Sequence, residues 1–355
     1  MSRNSWMRRV KTNTLGKLLL PLVFLISPMT WGRAESSAAL HERLHRVAQG
    51  NVLDDASLQP WHLKMTVQLY DSKGSPSESG TLEEWWGGAQ KDRQIFTTPS
   101  YTATIVHNEH GLFLSTGASL PPALLEQLRK QVVHPMPSDH EVDQSTPDLH
   151  HLPLGGVDLD CVMLTQTIKG VAFAPLGLFP TYCMSRGEDT LRVSYEFGNQ
   201  LTLRVRTGAF QSRHVPLDTS IQIAGVQAAS AHIDKLESVP EQSVNSDVID
   251  GLTSVNGATA EVDTAVMAGH VLHKVAPIYP DRARKGHISG TVLLHVIIGT
   301  DGHVHDLSVI SAPDPELAIA AIAAVRQWTY TPYINNGEPA SVDTKVTVNF
   351  NFAPR

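Results

Sequence analysis

Apolar and polar residues alternate in short runs along most of the chain, and the alternation is sharpest near its end. Val342, Thr344, Val346, Val348, Phe350 and Phe352 take turns with Asp343, Lys345, Thr347, Asn349 and Asn351. That is the period of a strand with one buried and one wet face. Upstream, Thr291 to Ile298 is apolar, with Val292, Leu294, Val296 and Ile298 on one face. Gly299-Thr-Asp-Gly302 turns the chain, and Val304 to Ile310 returns as a second strand. Asp314 is a good N-cap with Pro315 at the first helical position. Leu317, Ala320, Ala321, Ala324, Val325 and Trp328 follow at helical spacing, a face that can lie on the sheet. Pro277-Ile-Tyr-Pro280 opens a short helix over Pro280 to Lys285, stopped by Gly286.

The first part of the chain reads differently. Ser36 to Gly50 is an amphipathic helix, with Leu40, Leu44, Val47 and Ala48 at helical spacing. Strands are expected at 61–70, 80–86, 93–96, 101–106 and 112–114, separated by turns at Asp71-Ser-Lys-Gly74, Gly87-Gly88 and His110-Gly111. Pro121 to Val132 reads as a helix, and His134 to Gly156 as an irregular loop. Further strands are expected at 157–164, 180–184, 191–197, 201–206 and 221–223, with a tight hairpin at Gly198-Asn199-Gln200. The pattern predicts one mainly antiparallel sheet with a few helices over residues 36–237. Residues 238–268 are small, polar and acidic without periodicity, and read as a linker.

The N-terminus adds a compartment. Arg3, Arg8, Arg9, Lys11 and Lys17 precede an apolar stretch from Leu18 to Trp31 that Pro21 and Pro28 interrupt. Gly32 and Ala34 give an A-x-A-like cleavage site before Glu35. Residues 1–34 are thus an export signal or, if uncleaved, a membrane anchor, and the body of the protein is expected in the periplasm. The two cysteines, Cys161 and Cys183, both fall in expected strands, and an even count in an oxidising compartment favours a disulfide. A net charge of −7 argues against nucleic acid as a partner.

Residues 269–355 carry Tyr279-Pro280, Gly290-Thr-Val292, Asp301-Gly302, Val325-Arg-Gln-Trp328, Tyr330-Thr-Pro332, Gly337-Glu-Pro339 and a terminal strand ending in Asn349-Phe350. This succession resembles the TonB C-terminal domain family. The resemblance implies a three-stranded antiparallel sheet with two helices on one face. It also implies capture of a short extended peptide, the TonB box of an outer-membrane transporter, as an added strand on an exposed edge. On this reading the partner-binding residues are Pro277, Tyr279, Pro280, Val342, Thr344, Val346, Val348 and Phe350. The segment before Tyr279 reads Lys274-Val-Ala276, without the glutamine some members carry there. An energy transducer also engages inner-membrane proton-motor proteins, usually through a histidine on its anchor helix, and the apolar segment here has none. Further upstream, Pro60-Trp-His-Leu-Lys64, Leu69-Tyr-Asp71 with Gly74, and Gly80-Thr-Leu-Glu-Glu-Trp-Trp86 with Lys91 and Arg93 resemble the half-barrel lipoprotein-carrier (LolA-like) class. That likeness implies a curved antiparallel sheet around an apolar cavity and a lipid or lipoprotein ligand.

Other constellations favour plain readings. His41-Glu-Arg-Leu-His45 matches a zinc-hydrolase spacing, but no third ligand is indicated. His150-His151 with Asp148, and His303 with His305, read as turn histidines. Glu83 and Glu84 beside Trp85 and Trp86 point to opposite faces of a strand and so cannot act as a catalytic pair. No catalytic residue, metal or cofactor is expected. The fold class is α+β, a half-barrel-like domain followed by a small sheet-and-helix module. Two functions remain open: a TonB-like protein binding a transporter by strand addition, with or without energy transduction, or a lipid or lipoprotein carrier that uses the C-terminal module for docking only.

Overall fold

Ser36 starts the first helix, α1 (Ser37–Asn51), by accepting the Ala39 N–H at 3.2 Å, and Leu40, Leu44 and Val47 form its buried stripe. The computed structural model describes residues 35–351 except 119, 172, 197–199, 256–259 and 336–337. The export segment, the Gly198-Asn199 hairpin tip, Gly337 and Phe352 lie outside the described residues.

After α1 the chain meanders through β1 (Trp61–Tyr70), β2 (Pro76–Gly88), β3 (Lys91–Thr97), β4 (Thr102–Asn108) and β5 (Gly111–Ser115). Helices α2 (Ala123–Val133) and α3 (Asp139–Gln144) follow. Next come β6 (Thr146–Leu154), β7 (Val157–Thr165), β8 (Thr181–Ser185), β9 (Leu191–Glu196), β10 (Gln200–Arg204) and a small hairpin, β11 (Thr207–Phe210) with β12 (Arg213–Pro216). β13 (Asp218–Ile223), β14 (Val226–Ser238) and β15 (Leu252–Val255) complete this region. Among the described residues thirteen of these strands form one curved sheet, in the order β15-β5-β4-β3-β2-β1-β14-β13-β10-β9-β8-β7-β6. β1 and β14 pair in its middle, Trp61 opposite Ser238, and so join the early strands to the late ones.

One face of the sheet carries all three helices. Trp61, Leu63, Met65 and Val67 of β1, with Leu82 and Trp86 of β2, bury against Leu125, Leu128 and Val132 of α2. Val162, Leu164, Tyr182 and Met184 bury against Leu40, Leu44 and Val47 of α1 and Val142 of α3. Each such fully buried aliphatic side chain contributes roughly 1.5–3 kcal/mol. The opposite face holds Cys161 and Cys183, directly paired across β7 and β8 and joined as a disulfide with their Cα atoms 3.9 Å apart.

Two expectations need correction. His134 to Gly156 is not an irregular loop, for it contains α3 and β6. Ser138 and Glu141 form a capping box that starts α3. β6 ends the sheet order and is mostly exposed, so it tolerates Pro147 and Pro153, which hid it. The interval 238–268, expected as a linker, also carries local structure. β15 adds to β5 with Leu252 opposite Ser115, and Asn108 Nδ2 donates to the Ser246 carbonyl at 2.9 Å. β16 (Ala260–Glu261) and α4 (Thr264–Ala268) then lead to β17 (Val271–His273).

The last part of the chain comprises α5 (Asp281–Lys285), β18 (Gly290–Ile298), β19 (Val304–Ser311), α6 (Pro315–Val325), β20 (Thr329–Tyr330), β21 (Tyr333–Asn335), β22 (Glu338–Ala340) and β23 (Val342–Phe350). Asp314 caps α6 by accepting the Glu316 N–H at 2.9 Å, with Pro315 in the first turn. Its Leu317, Ala321, Ile322 and Val325 meet Val292, Leu294 and Val296 of β18 and Val346 and Val348 of β23 in one core, which Ala283 of α5 joins. Ile168, Leu178 and Phe179, from the loop between β7 and β8, enter the same core. The antiparallel set β23-β18-β19 has the three strands expected, and β16 adds a fourth, parallel strand outside β23.

Candidate strand-binding edge

β23 pairs with β18 along its whole length, from Val342 opposite Ile298 to Phe350 opposite Gly290. Successive residues of a strand direct their backbone groups to opposite neighbours. The Ala260 N–H donates to the Ser341 carbonyl at 2.8 Å and the Val262 N–H to the Asp343 carbonyl at 3.0 Å. Odd-numbered residues of β23 therefore face outward, and even-numbered ones face β18.

Val342, Thr344, Val346, Val348 and Phe350, the positions that the alternation singles out, thus direct their backbone to β18 and their side chains into the core. All five are buried. The outward backbone belongs instead to Asp343, Lys345, Thr347 and Asn349. β16 covers Asp343. Among the described residues nothing pairs with the outward N–H and C=O groups of Lys345, Thr347 and Asn349, whose side chains are exposed. Unpaired groups of this kind are a template for another strand. The alternation named the wet half of β23 as wet. It could not say which half turned its backbone to the edge, because that depends on which neighbour lies on which side.

The other edge of this sheet is partly covered. Lys169, from the loop between β7 and β8, bridges to Ser311 at the end of β19, and the Ala312 N–H donates to the Lys169 carbonyl at 3.2 Å. The tight turn between β18 and β19 needs Gly302, at φ +76°, where a Cβ would come within 2.1 Å of the Tyr330 carbonyl. Beside it, His303 and His305 reach Asp301. Burial opposes charge on Asp301, but the bonds from the two histidines outweigh it and hold the carboxyl well below the usual range.

The remaining expected partner residues gather at the Phe350 end of β23. The Tyr279 ring meets Phe350 edge-on at 5.6 Å, and its hydroxyl donates to the Ile288 carbonyl at 2.5 Å. Pro280 caps α5 in extended conformation, Pro277 is half-buried, and Ile278 between Pro277 and Tyr279 is 84% exposed. Trp328 is buried, its indole N–H donating to the Val275 carbonyl at 2.9 Å, with the Lys274 ammonium 4.6 Å above its ring.

Side chains singled out for other chemistry have structural partners. His41 Nε2 lies 3.2 Å from the Ser145 carbonyl, while His45 stands between Asp139 and Asp143 at 2.8 and 2.9 Å, tying α1 to α3. Two ring nitrogens facing two carboxylates suit an imidazolium, and His45 is raised above the ordinary histidine value: burial works against the charge, but the two aspartates outweigh it. Glu83 faces outward to Lys64 at 2.7 Å. Glu84 is fully buried on the helix-bearing face, where Arg129 Nε and Nη2 each donate to one of its oxygens at 2.7 Å. Burial pushes the Glu84 carboxyl up to about 7, with Arg129 pulling the other way. Trp86 stacks on Trp61 in the core at 5.8 Å, and Trp85 stacks outside on His62 at 4.3 Å. A cleft of about 570 Å³ lies between α2, the loop after β7 and β19, lined by apolar Leu164, Phe179 and Tyr182 and by charged Lys130, Glu196 and Arg326.

Residues 275–352 match the family described as Gram-negative bacterial TonB protein C-terminal. The protein TonB of Vibrio cholerae serotype O1 is 31% identical over 78 residues, which cover 22% of this chain. The chain spans about a third of that relative, 32% of its length. A LolA superfamily protein from Nitrosomonas europaea aligns with a TM-score of 0.38 and 10% identity, covering 60% of this chain and 99% of that one. A DUF1329 family protein from Desulfovibrio piger aligns at 0.39 and 8% identity, covering 61% of this chain and all of that one, 100%. Likenesses at such scores support no functional statement.

Proposed function

We propose that this is a periplasmic TonB-like protein whose C-terminal module, residues 269–355, captures an outer-membrane transporter by taking an extended segment of it as a strand along β23. The observation that carries this reading is the unpaired outward backbone of Lys345, Thr347 and Asn349 on a module matching the TonB C-terminal family. Backbone pairing would supply affinity and the exposed side chains register. The large sheet with its three helices forms the second module, and the chemistry required is binding, not catalysis. Among the described residues no helix is long and apolar enough to cross a membrane.

Deletion of residues 269–355 in the native host tests this reading. Loss of uptake through a transporter, with the truncated protein still exported and folded, is the expected result. Unchanged uptake through every such transporter would refute it. The carrier alternative has a narrower basis. Among the described residues helices pack on the face of the sheet where an apolar cavity was expected, and a cleft of about 570 Å³ lies beside α2. Saturable binding of a fluorescent fatty acid, lost when Phe179 is changed to Asp, would favour that alternative.

A further inference from the structure

The outward edge of β23 is not empty along its full length, and what occupies its start is part of this chain. Ala260 and Glu261 run parallel to β23, opposite Val342 and Asp343. The Ala260 and Val262 N–H groups donate to the Ser341 and Asp343 carbonyls of that edge. At Asp263, whose side chain accepts the Ala265 N–H at 2.8 Å, the chain leaves the edge and enters α4. α4 packs against β23. Met267 is buried in the core of the module and Val262 partly so. A strand extended along Lys345, Thr347 and Asn349 toward Asp343 would meet this segment.

We infer that residues 260–268 are a built-in occupant of the strand-binding edge, which a partner strand entering parallel to β23 must displace. The inference rests on the strand-addition reading above and specifies its partner and its control. The segment also shows what the edge accepts. Ala260-Glu261-Val262-Asp263 alternates small apolar and acidic residues, with Val262 turned to the core and Glu261 exposed. In the parallel register that sets Glu261 opposite Asp343, the next acidic position of a continuing strand falls opposite Lys345. The partner is thus an extended segment of alternating small apolar and acidic residues, in the same direction and register. Its apparent affinity is lowered by the fraction of molecules whose edge is already filled.

The test uses the full chain and a fluorescent peptide copying residues 258–266. A double change, Ala260→Pro and Val262→Pro, removes both donors to the edge without altering β23. Another pair, Glu261→Cys with Asp343→Cys, allows the segment to be locked in place by oxidation. The proline variant should bind the peptide about tenfold more tightly than the wild type, or by about 1.4 kcal/mol, the order that two net backbone bonds supply. The oxidised cysteine variant should not bind it, whereas each single cysteine variant should. Adding Thr347→Pro to the proline variant should weaken binding about thirtyfold, which maps the peptide to β23. Equal binding by the wild type, the proline variant and the locked variant would overturn this inference and leave strand addition standing. Binding by none of them, with folding verified by thermal unfolding, would overturn both.

Discussion

Proline placed at two adjacent positions of β23 should have opposite consequences. Thr347 turns its N–H outward and Val346 turns its N–H to β18, opposite Leu294. Thr347→Pro therefore leaves the ladder to β18 intact, and stability should change by less than about 1 kcal/mol, as for other edge prolines. Val346→Pro removes a donor from the Leu294 carbonyl, which costs about 1–3 kcal/mol once that group is buried unpaired. It also replaces a side chain only 7% exposed that packs in the core of the module. A total loss of roughly 3 kcal/mol is expected. Binding should show the reverse emphasis. The Thr347 N–H lies in the middle of the open edge, and a ring there removes one bond and holds off its neighbours. The expected loss is about 2 kcal/mol, or roughly thirtyfold in Kd. Fluorescence anisotropy with a peptide from the N-terminal segment of an outer-membrane transporter, beside thermal unfolding, measures both quantities. Wild-type affinity in Thr347→Pro, or a large loss of stability in it, would refute the assignment of edge and core halves.

Arg129→Ala should destabilise the large sheet by about 3–5 kcal/mol, because it leaves Glu84 buried without its bidentate partner. Joint replacement by Glu84→Gln and Arg129→Met should recover much of that in thermal unfolding. Cys161→Ser with Cys183→Ser should cost about 3 kcal/mol by loop entropy, measured by denaturant unfolding, with the cysteines 22 residues apart. His45→Gln should lower stability at pH 6 and cost little at pH 9. The folded His45 value is raised, so its contribution is full below the unfolded value and disappears as pH rises through the folded one. A denaturation series over pH checks the sign.

The elements legible in the sequence are those whose signals are local. α1 and α6 have caps and apolar stripes, and the alternation in β23 is nearly unbroken. β6 was illegible because edge position excuses its prolines, and edge position is a property of the whole sheet. β15 and β16 are two to four residues long and exist through pairing with β5 and β23, more than eighty residues away in sequence for β16. Their own composition gives no sign of it. The candidate site was half legible. Its strand follows from pattern and resemblance, whereas the closeness of Tyr279 to the end of that strand is seen only in the packing of its ring on Phe350. The outward role of Lys345, Thr347 and Asn349 needed the register to β18 and β16.

Hydrogen exchange of individual backbone amides in the full chain, with and without the transporter peptide, tests the central claim most directly. Capture by strand addition predicts that the Lys345, Thr347 and Asn349 amides exchange freely alone and become protected with the peptide, while Thr344, Val346 and Val348 are protected in both. Protection appearing only elsewhere, for instance around the cleft beside α2, would contradict it.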